Sequence, residues 1–553
     1  MEEIVQKIKT VVKELFDVNV EPEVTVAPAE AKADFSSNIA MKLTRDLRQN
    51  PREIAGKIAE KMAEYEIEIA GPGFLNFTLS DAYYMNKMAD LRTDFAKNIS
   101  CSEYSGKTVI CEFSDPNPFK VLHVGHLYTS IVGDSIARLF EYAGAKVVRA
   151  NFGGDVGLHV GKTMWALLKS GMTDFTIEDI AAKYVEGTQA YEEDEKAKAE
   201  IIEINKQVYA ICQNNLHDSK LAEMYWKGRE LSYQYFEDFY GRIGVKFDKY
   251  YPESTVAGRG LAEVENGLAR GVYEMSDGAV VYRGDTKLGL HTRVFINKEG
   301  LPTYEAKDVG LIYTKWDDYH FDKSVVITGN DIIDYMKIVL GSVREMNPEL
   351  PERTTHLTHG QVKLPGSVKM SSRKGNFLKA VDVLDMVSEG LKKSYDSDDF
   401  MVALGATKYA FLKYKMGGDI IFDPEESVKM TGNSGPYLLY SCVRAKKVIE
   451  KISSKLAGTF EGSEATFLDS SERELIKKVV QYREVLAEAV AEMAPHKVCS
   501  YLYELAQEFS RFYENCPVAG GAREGIRGEI VKVYLDTMLH GLNILGIEVP
   551  EEM

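Results

Sequence analysis

The sequence predicts an α/β protein: a parallel sheet in the middle of the chain, a smaller α+β region before it and helices alone after it. Three observations carry this. Residues from about 105 to 390 alternate short β-branched, apolar runs with helical spacing, as a helix-covered parallel sheet requires. Residues 1–100 mix helical and extended signals. From about residue 405 onward, helical spacing dominates.

Taken in order, Met1 to Phe16 reads as an amphipathic helix, and Pro51 stands where a helix starts, since its missing N–H costs nothing there. G-P-G-F-L-N-F-T-L at 71–79 reads as a turn into a strand. K-T-V-I-C-E-F at 107–113 is a buried strand, broken by Asp115-Pro116-Asn117-Pro118 because proline cannot continue a ladder. Leu127, Ile131, Ile136 and Leu139 then recur at helical spacing as far as Gly144. Residues 175–240 are charged and helical, an insertion with solvated faces. Val325 to Gly329 is another buried strand. A long helix begins at Pro436, and its Arg444, Lys446 and Lys447 are candidates for a phosphate-facing side.

Bulk properties bound the answer. A chain of 553 residues with 45% hydrophobic content holds three or four domains with large cores. No apolar run is long enough to span a bilayer, and no N-terminal signal pattern appears. Cysteines at 101, 111, 212, 442, 499 and 516 form no C-x-x-C pair, as expected of reduced residues in a cytoplasmic protein. A net charge of −17 argues against nucleic-acid binding over the whole surface, though it permits a basic path on an acidic body.

Two segments carry the chemistry. P-N-P-F-K-V-L-H-V-G-H at 116–126 places His123 and His126 three residues apart where a strand gives way to a helix. Free N–H groups and the positive dipole end favour phosphate there, and Gly125 admits a flat base close to the backbone. K-M-S-S-R-K-G-N at 369–376 follows Pro365-Gly366 as a loop. Its Lys369 and Lys374 suit phosphate oxygens, and Ser371 and Ser372 can donate to them. Together they suit the triphosphate of ATP and point to nucleotidyl transfer.

The pair resembles the HIGH and KMSKS motifs of class I aminoacyl-tRNA synthetases. E-F-S-D-P-N at 112–117, N-F-G-G-D-V-G at 151–157 and L-P-T-Y-E-A-K-D at 301–308 narrow the resemblance to arginyl-tRNA synthetases over nearly the whole chain. N-P-R-E-I-A, A-G-P-G-F-L-N-F and F-Y-E-N-C-P-V, near the two ends, extend it. The resemblance implies an additional N-terminal tRNA-contacting domain over 1–100. A Rossmann-like catalytic domain with a helical insertion would follow over 105–400, and an all-helical anticodon-binding domain over 405–553. It implies ATP, with Mg²⁺, activating L-arginine as the adenylate and transfer to tRNA(Arg) by a cytoplasmic, membrane-free monomer.

Under that resemblance the catalytic residues are His123, His126, Lys369 and Lys374. ATP is held by His123, Gly125, His126, Lys369, Met370, Ser371 and Ser372. Arginine is held by Glu112, Asn117, His123, Tyr304 and Asp308, and no protein metal site is expected. Asp308 follows Tyr304 by four residues, so on a helix both face one way and the acid can take the guanidinium fork. Some positions depart from the common pattern: Asp115 where serine is frequent, near the expected amino-acid site, where the acid can attract the substrate ammonium; Tyr128 where arginine is frequent; and Asn330-Asp331 where a glutamine often stands. Cysteinyl enzymes need zinc ligands that are missing here, and glutamyl enzymes need basic specificity residues. A synthetase-like protein that only binds tRNA or another protein would not need the intact histidines, loop and acids.

Overall fold

The computed structural model describes residues 2–28, 31, 33–285, 289–366, 378–452 and 467–553, so Lys369, Met370, Ser371, Ser372 and Lys374 lie outside the described residues. The chain forms two compact units. One comprises residues 1–98, 448–481 and 508–534; the other comprises 99–447, 482–507 and 535–553.

The larger unit is built on a five-stranded, fully parallel sheet. Its spatial order is Thr354–His359, Lys323–Gly329, Thr108–Glu112, Lys146–Gly153, Lys249–Pro252. Val109, Ile110 and Cys111 are fully buried because helices cover both faces, which is why this strand reads as an unbroken apolar run. After Thr108–Glu112 the chain builds outward on one side with the next two strands, then returns to the other side with Lys323–Gly329. The order therefore reverses at Thr108–Glu112, and the crevice beyond such a reversal is where open α/β sheets take ligands. The helix Val124–Tyr142 crosses this sheet closely: a Cβ on Gly133 would stand 2.1 Å from the Phe113 ring. The insertion consists of the helices Ile177–Glu193, Glu195–Asn214 and Lys220–Ile243.

The smaller unit carries a four-stranded antiparallel sheet in the order Val24–Val26, Phe35–Ser37, Phe74–Thr78, Glu66–Ala70. Pro51 opens the helix Pro51–Lys61 as expected, and the Asn50 side chain caps it by accepting from Arg52 N. Asp34, 3% exposed, is held by Arg473 and Lys477 of the helix Ser470–Val480, each at 3.0 Å. Arg473 also bonds Asp81 at 2.5 Å and Leu79 O at 2.7 Å. C-terminal helices thus belong to the same folded body as the N-terminal sheet. Replacing Arg473 with leucine strips one partner from a buried carboxylate and is expected to cost about 3 kcal/mol. Urea unfolding followed by circular dichroism reads this as a lower midpoint; an unchanged midpoint would show that Lys477 alone satisfies Asp34.

Candidate active site

The site is organised by the loop that leaves Thr108–Glu112. Ser114, Asp115 and Phe119 have φ of +74°, +49° and +66°, a left-handed backbone that L-residues adopt only when neighbours hold them there. The neighbours are present. The Ser114 and Tyr240 hydroxyls lie 2.8 Å apart, Phe152 N donates to Asp115 Oδ1 at 2.7 Å, and Gly154 N donates to Asn117 Oδ1 at 2.9 Å. Phe119 N donates to Ser232 Oγ at 3.0 Å, and its ring stacks on Tyr225 with centroids 5.6 Å apart. Tyr225, Ser232 and Tyr240 all come from the inserted helix Lys220–Ile243. The same helix sends Arg229 to the fully buried Asp155 at 2.9 Å, and Ser254 N and Oγ bond that carboxylate at 2.9 and 2.7 Å. This clamp was not anticipated from sequence. Its trace there is the spacing of Tyr225, Arg229 and Ser232, four and three residues apart, one face of a helix otherwise read as solvated.

His123 is the N-cap of Val124–Tyr142. Gly125 N donates to His123 Nδ1 and His123 N donates to His126 Nδ1, each at 3.1 Å, and the two rings stack with centroids 3.8 Å apart. A nitrogen that accepts a backbone N–H carries no proton, so each ring holds its proton on Nε2. Burial lowers His123 to about 4, with Lys120 adding to the effect. Burial also holds His126 well below its ordinary value, with His123 and Lys120 adding. Both are therefore neutral donors at neutral pH. Gly125 also makes room for the His123 ring: a Cβ would meet its Cε1 at 2.8 Å, so the glycine serves the cap.

The chain on both sides of residues 367–377 is bonded to this helix start. On one side, His359 Nε2 lies 3.0 Å from Thr129 Oγ1, which donates to Gly125 O at 2.7 Å. On the other, Val124 N donates to Leu378 O at 2.9 Å and Ala380 N to Leu122 O at 3.0 Å. Tyr128, fully buried, lies edge-on to the His359 ring at 4.8 Å, so this departure from the family pattern is an interior residue.

Beside the histidines lies an acidic pocket. Glu112 is sealed and bonded to Lys315 at 2.6 Å, and Lys315 also donates to Ser324 Oγ at 3.1 Å. Glu253 is likewise sealed and bonded to Lys307 at 2.6 Å. Asp308 and Asp115 are only half-buried. Partial burial lifts Asp308 to about 7, against a hydrogen bond donated by the Tyr335 hydroxyl, with Glu112 and Glu253 lifting it further. Asp115 is raised well above its ordinary value, first by removal from water and then by Glu112.

Glu112, Asn117, His123, Tyr304 and Asp308 thus gather at one end of the sheet. Tyr304 and Asp308 share the helix Tyr304–Tyr319 as expected, but the half-exposed Tyr304 ring covers the Lys307 ammonium at 4.9 Å. The phenol bonded to Asp308 is Tyr335, a residue the sequence reading missed. Asn330 is committed elsewhere, donating to Gly417 O at 2.8 Å. The arrangement offers neutral N–H donors at a helix N-terminus beside a pocket with excess negative charge. It suits joining a cationic molecule to a phosphate compound.

Comparison with known proteins agrees. The family model "tRNA synthetases class I (R), catalytic domain" matches residues 93–423. "Arginyl tRNA synthetase N terminal domain" matches 2–79, and "DALR anticodon binding domain" matches 438–553. An arginine–tRNA ligase of Flavobacterium psychrophilum is 29% identical, over 99% of this chain and 98% of the relative. One from Treponema denticola is 27% identical, over 92% and 91%. The Thermus thermophilus arginyl-tRNA synthetase structure superposes with a TM-score of 0.81 at 23% identity, covering all of both chains. The Plasmodium falciparum arginyl-tRNA synthetase structure gives 0.79 at 20%, covering 100% and 99%. At these identities the two superpositions speak for the fold.

Gly125 gives a test in which helix stability and site geometry move in opposite directions. Alanine is the better helix former by about 1 kcal/mol, yet its Cβ would displace the His123 ring. Gly125→Ala is expected to keep or raise the unfolding midpoint while lowering turnover roughly a hundredfold. Near-normal turnover in a folded variant would show that the cap geometry is immaterial to the chemistry.

Proposed function

The chain belongs to the class I arginyl-tRNA synthetase family, and we propose from that premise how its residues charge tRNA(Arg) with L-arginine at the expense of ATP. The observation that carries the reading is the neutral histidine pair beside an acidic pocket with more carboxylates than paired lysines among the described residues. The arginine carboxylate attacks the α-phosphate, giving arginyl-adenylate and pyrophosphate. A ribose hydroxyl at the tRNA end then attacks the activated carbonyl, releasing AMP. Neither step calls for an enzyme nucleophile, so the work is alignment and charge stabilisation.

In this reading His123 and His126 donate Nε2–H to phosphate oxygens as charge builds there. Lys369 and Lys374 supply positive charge, and Met370, Ser371 and Ser372 complete the nucleotide site. Asp308 takes the guanidinium, with Tyr335 fixing the carboxylate and Tyr304 beside it. Glu112 acts through its remaining oxygen, because Lys315 occupies the other. Asn117 and His123 face the polar end of the amino acid. The bonds from the helix start to residues 359 and 378–380 support a concerted response of the two nucleotide motifs.

ATP enters as its Mg²⁺ complex, with the ion held through phosphates. Among the described residues one group, Asp469, Glu472 and Cys516, has metal-ligand spacing, but Glu472 already bonds Arg523 and Arg527. Residues 1–100 and 405–553 serve as tRNA-contacting and anticodon-binding regions around a catalytic domain at 105–400. The protein works as a cytoplasmic monomer; no helix among the described residues is long and apolar enough to cross a membrane.

The decisive assay supplies total tRNA, ATP and each amino acid in turn. Arginine alone should be charged, and charging of a different amino acid would refute the assignment. Alanine at His123 or His126 is expected to reduce activation by ~3 kcal/mol with the fold intact. Asp308→Asn should lower the efficiency for arginine by ~2–4 kcal/mol while leaving the ATP dependence nearly unchanged. Equal losses in the arginine and ATP terms would remove Asp308 from the guanidinium site.

A further inference from the structure

We propose that His359 is a positioning residue of the nucleotide site: a proton-operated tie that closes fully on the helix start only when its ring carries two protons, and so couples ATP binding to proton uptake. The proposal rests on reading that helix start as the ATP site. His359 ends the strand Thr354–His359 and is buried. Its Nδ1 lies 2.7 Å from Gly360 O, and its Nε2 lies 3.0 Å from Thr129 Oγ1. Thr129 Oγ1 lies in turn 2.7 Å from Gly125 O, and Gly125 N holds His123 Nδ1. One chain of contacts thus runs from the strand end to the His123 ring. The edge-on Tyr128 ring, itself backed by Phe411 at 5.5 Å, packs against the imidazole.

Counting protons shows what the tie needs. A carbonyl oxygen only accepts, so Gly360 O requires a hydrogen on Nδ1, and Gly125 O requires the single hydroxyl hydrogen of Thr129. The contact between Nε2 and Oγ1 then needs a hydrogen on Nε2 as well. Three contacts use three hydrogens, whereas a neutral imidazole and a hydroxyl supply two. With a neutral ring, Thr129 turns its hydrogen to Nε2 or to Gly125 O, and one contact opens. The imidazolium closes all three.

The groups around the ring set the balance. Burial opposes the charge and holds His359 below its ordinary value, while Gly360 O and the Asp331 carboxylate favour the charge. Tyr128, His123 and His126 face it from the helix Val124–Tyr142, and charge on His359 helps to keep both histidines neutral. Asp419, beside Gly360, is committed to Lys363 and Gln361 N. In the free protein the ring is therefore neutral at pH 7. Phosphates at the helix start add negative charge, which favours the imidazolium. The bound value then lies above the free one, and uptake occurs in the window between them.

Calorimetric titration of the full-length protein with ATP and Mg²⁺, in buffers of different ionisation enthalpy at about pH 6, reads that uptake. A tenfold gain in proton affinity centred on that pH takes up roughly half a proton. Protons carried by ATP itself are common to every variant and cancel in the differences. His359→Gln keeps an amide donor but does not titrate. Thr129→Val keeps the shape and loses the hydroxyl, and Thr129→Ser keeps the hydroxyl. The first two should lose the uptake shown by the unaltered protein, and Thr129→Val should also bind ATP roughly two- to tenfold more weakly. Thr129→Ser should restore both. Equal uptake in His359→Gln and the unaltered protein overturns the proposal, as do unchanged uptake in Thr129→Val and a Thr129→Ser that behaves like Thr129→Val. If His359→Gln does not fold, the two Thr129 variants decide. An unaltered protein that binds no ATP overturns the nucleotide-site reading itself, which is a different result from any of these.

Discussion

Every part of this site answers to one constraint: carboxylates gathered at a sheet edge, of which, among the described residues, only Glu112 and Glu253 are paired with a lysine. Glu112 enters that edge as the last residue of a strand buried on both faces, so its charge must be met inside the protein, and Lys315 meets it. Glu253 is met by Lys307 in the same way. Burying a charge without a partner is too costly to tolerate, which explains why those two pairs are closed. Asp115 and Asp308 stay at the open face and carry raised pKa values, first through removal from water and then through the nearby Glu112. In the proposed reaction the guanidinium of arginine completes Asp308.

The same edge imposes the loop geometry. To turn from the strand end into the helix start within a few residues, the backbone passes through left-handed conformations at Ser114, Asp115 and Phe119. Such strain persists only when surrounding structure over-determines it. The inserted helix Lys220–Ile243 and the end of Lys146–Gly153 supply that support. The insertion is therefore part of the site's architecture as well as a covering layer. At the far end of the loop, the histidines spend their Nδ1 atoms on capping, which leaves Nε2–H as the donor and fixes the tautomer through backbone amides.

Much of this was legible in the sequence, for a physical reason. The strand at 108–112, the Pro-Asn-Pro break and the paired histidines are local signals, and local spacing reports local structure. Tyr304 and Asp308 were placed on one helix by their four-residue separation. What escaped were contacts between residues remote in the chain. Lys315 is 203 residues from Glu112, and Tyr335 is 27 from Asp308 and on another helix. No periodicity links such positions; only the fold does. Spacing alone likewise does not reveal that the His123 ring folds back over Gly125.

If Asp308 is completed by the guanidinium, arginine must displace the proton that the carboxyl holds. The direct measurement is calorimetric binding of arginine at pH 7 in buffers of different ionisation enthalpy. With Asp308 near 7 in the free protein and required as the carboxylate in the complex, about half a proton or more should be released per arginine bound at pH 7. Release from Asp308 should shrink to roughly a tenth by pH 8. Binding with no proton release, or with uptake, at pH 7 would contradict the view that an unmet negative charge selects the substrate.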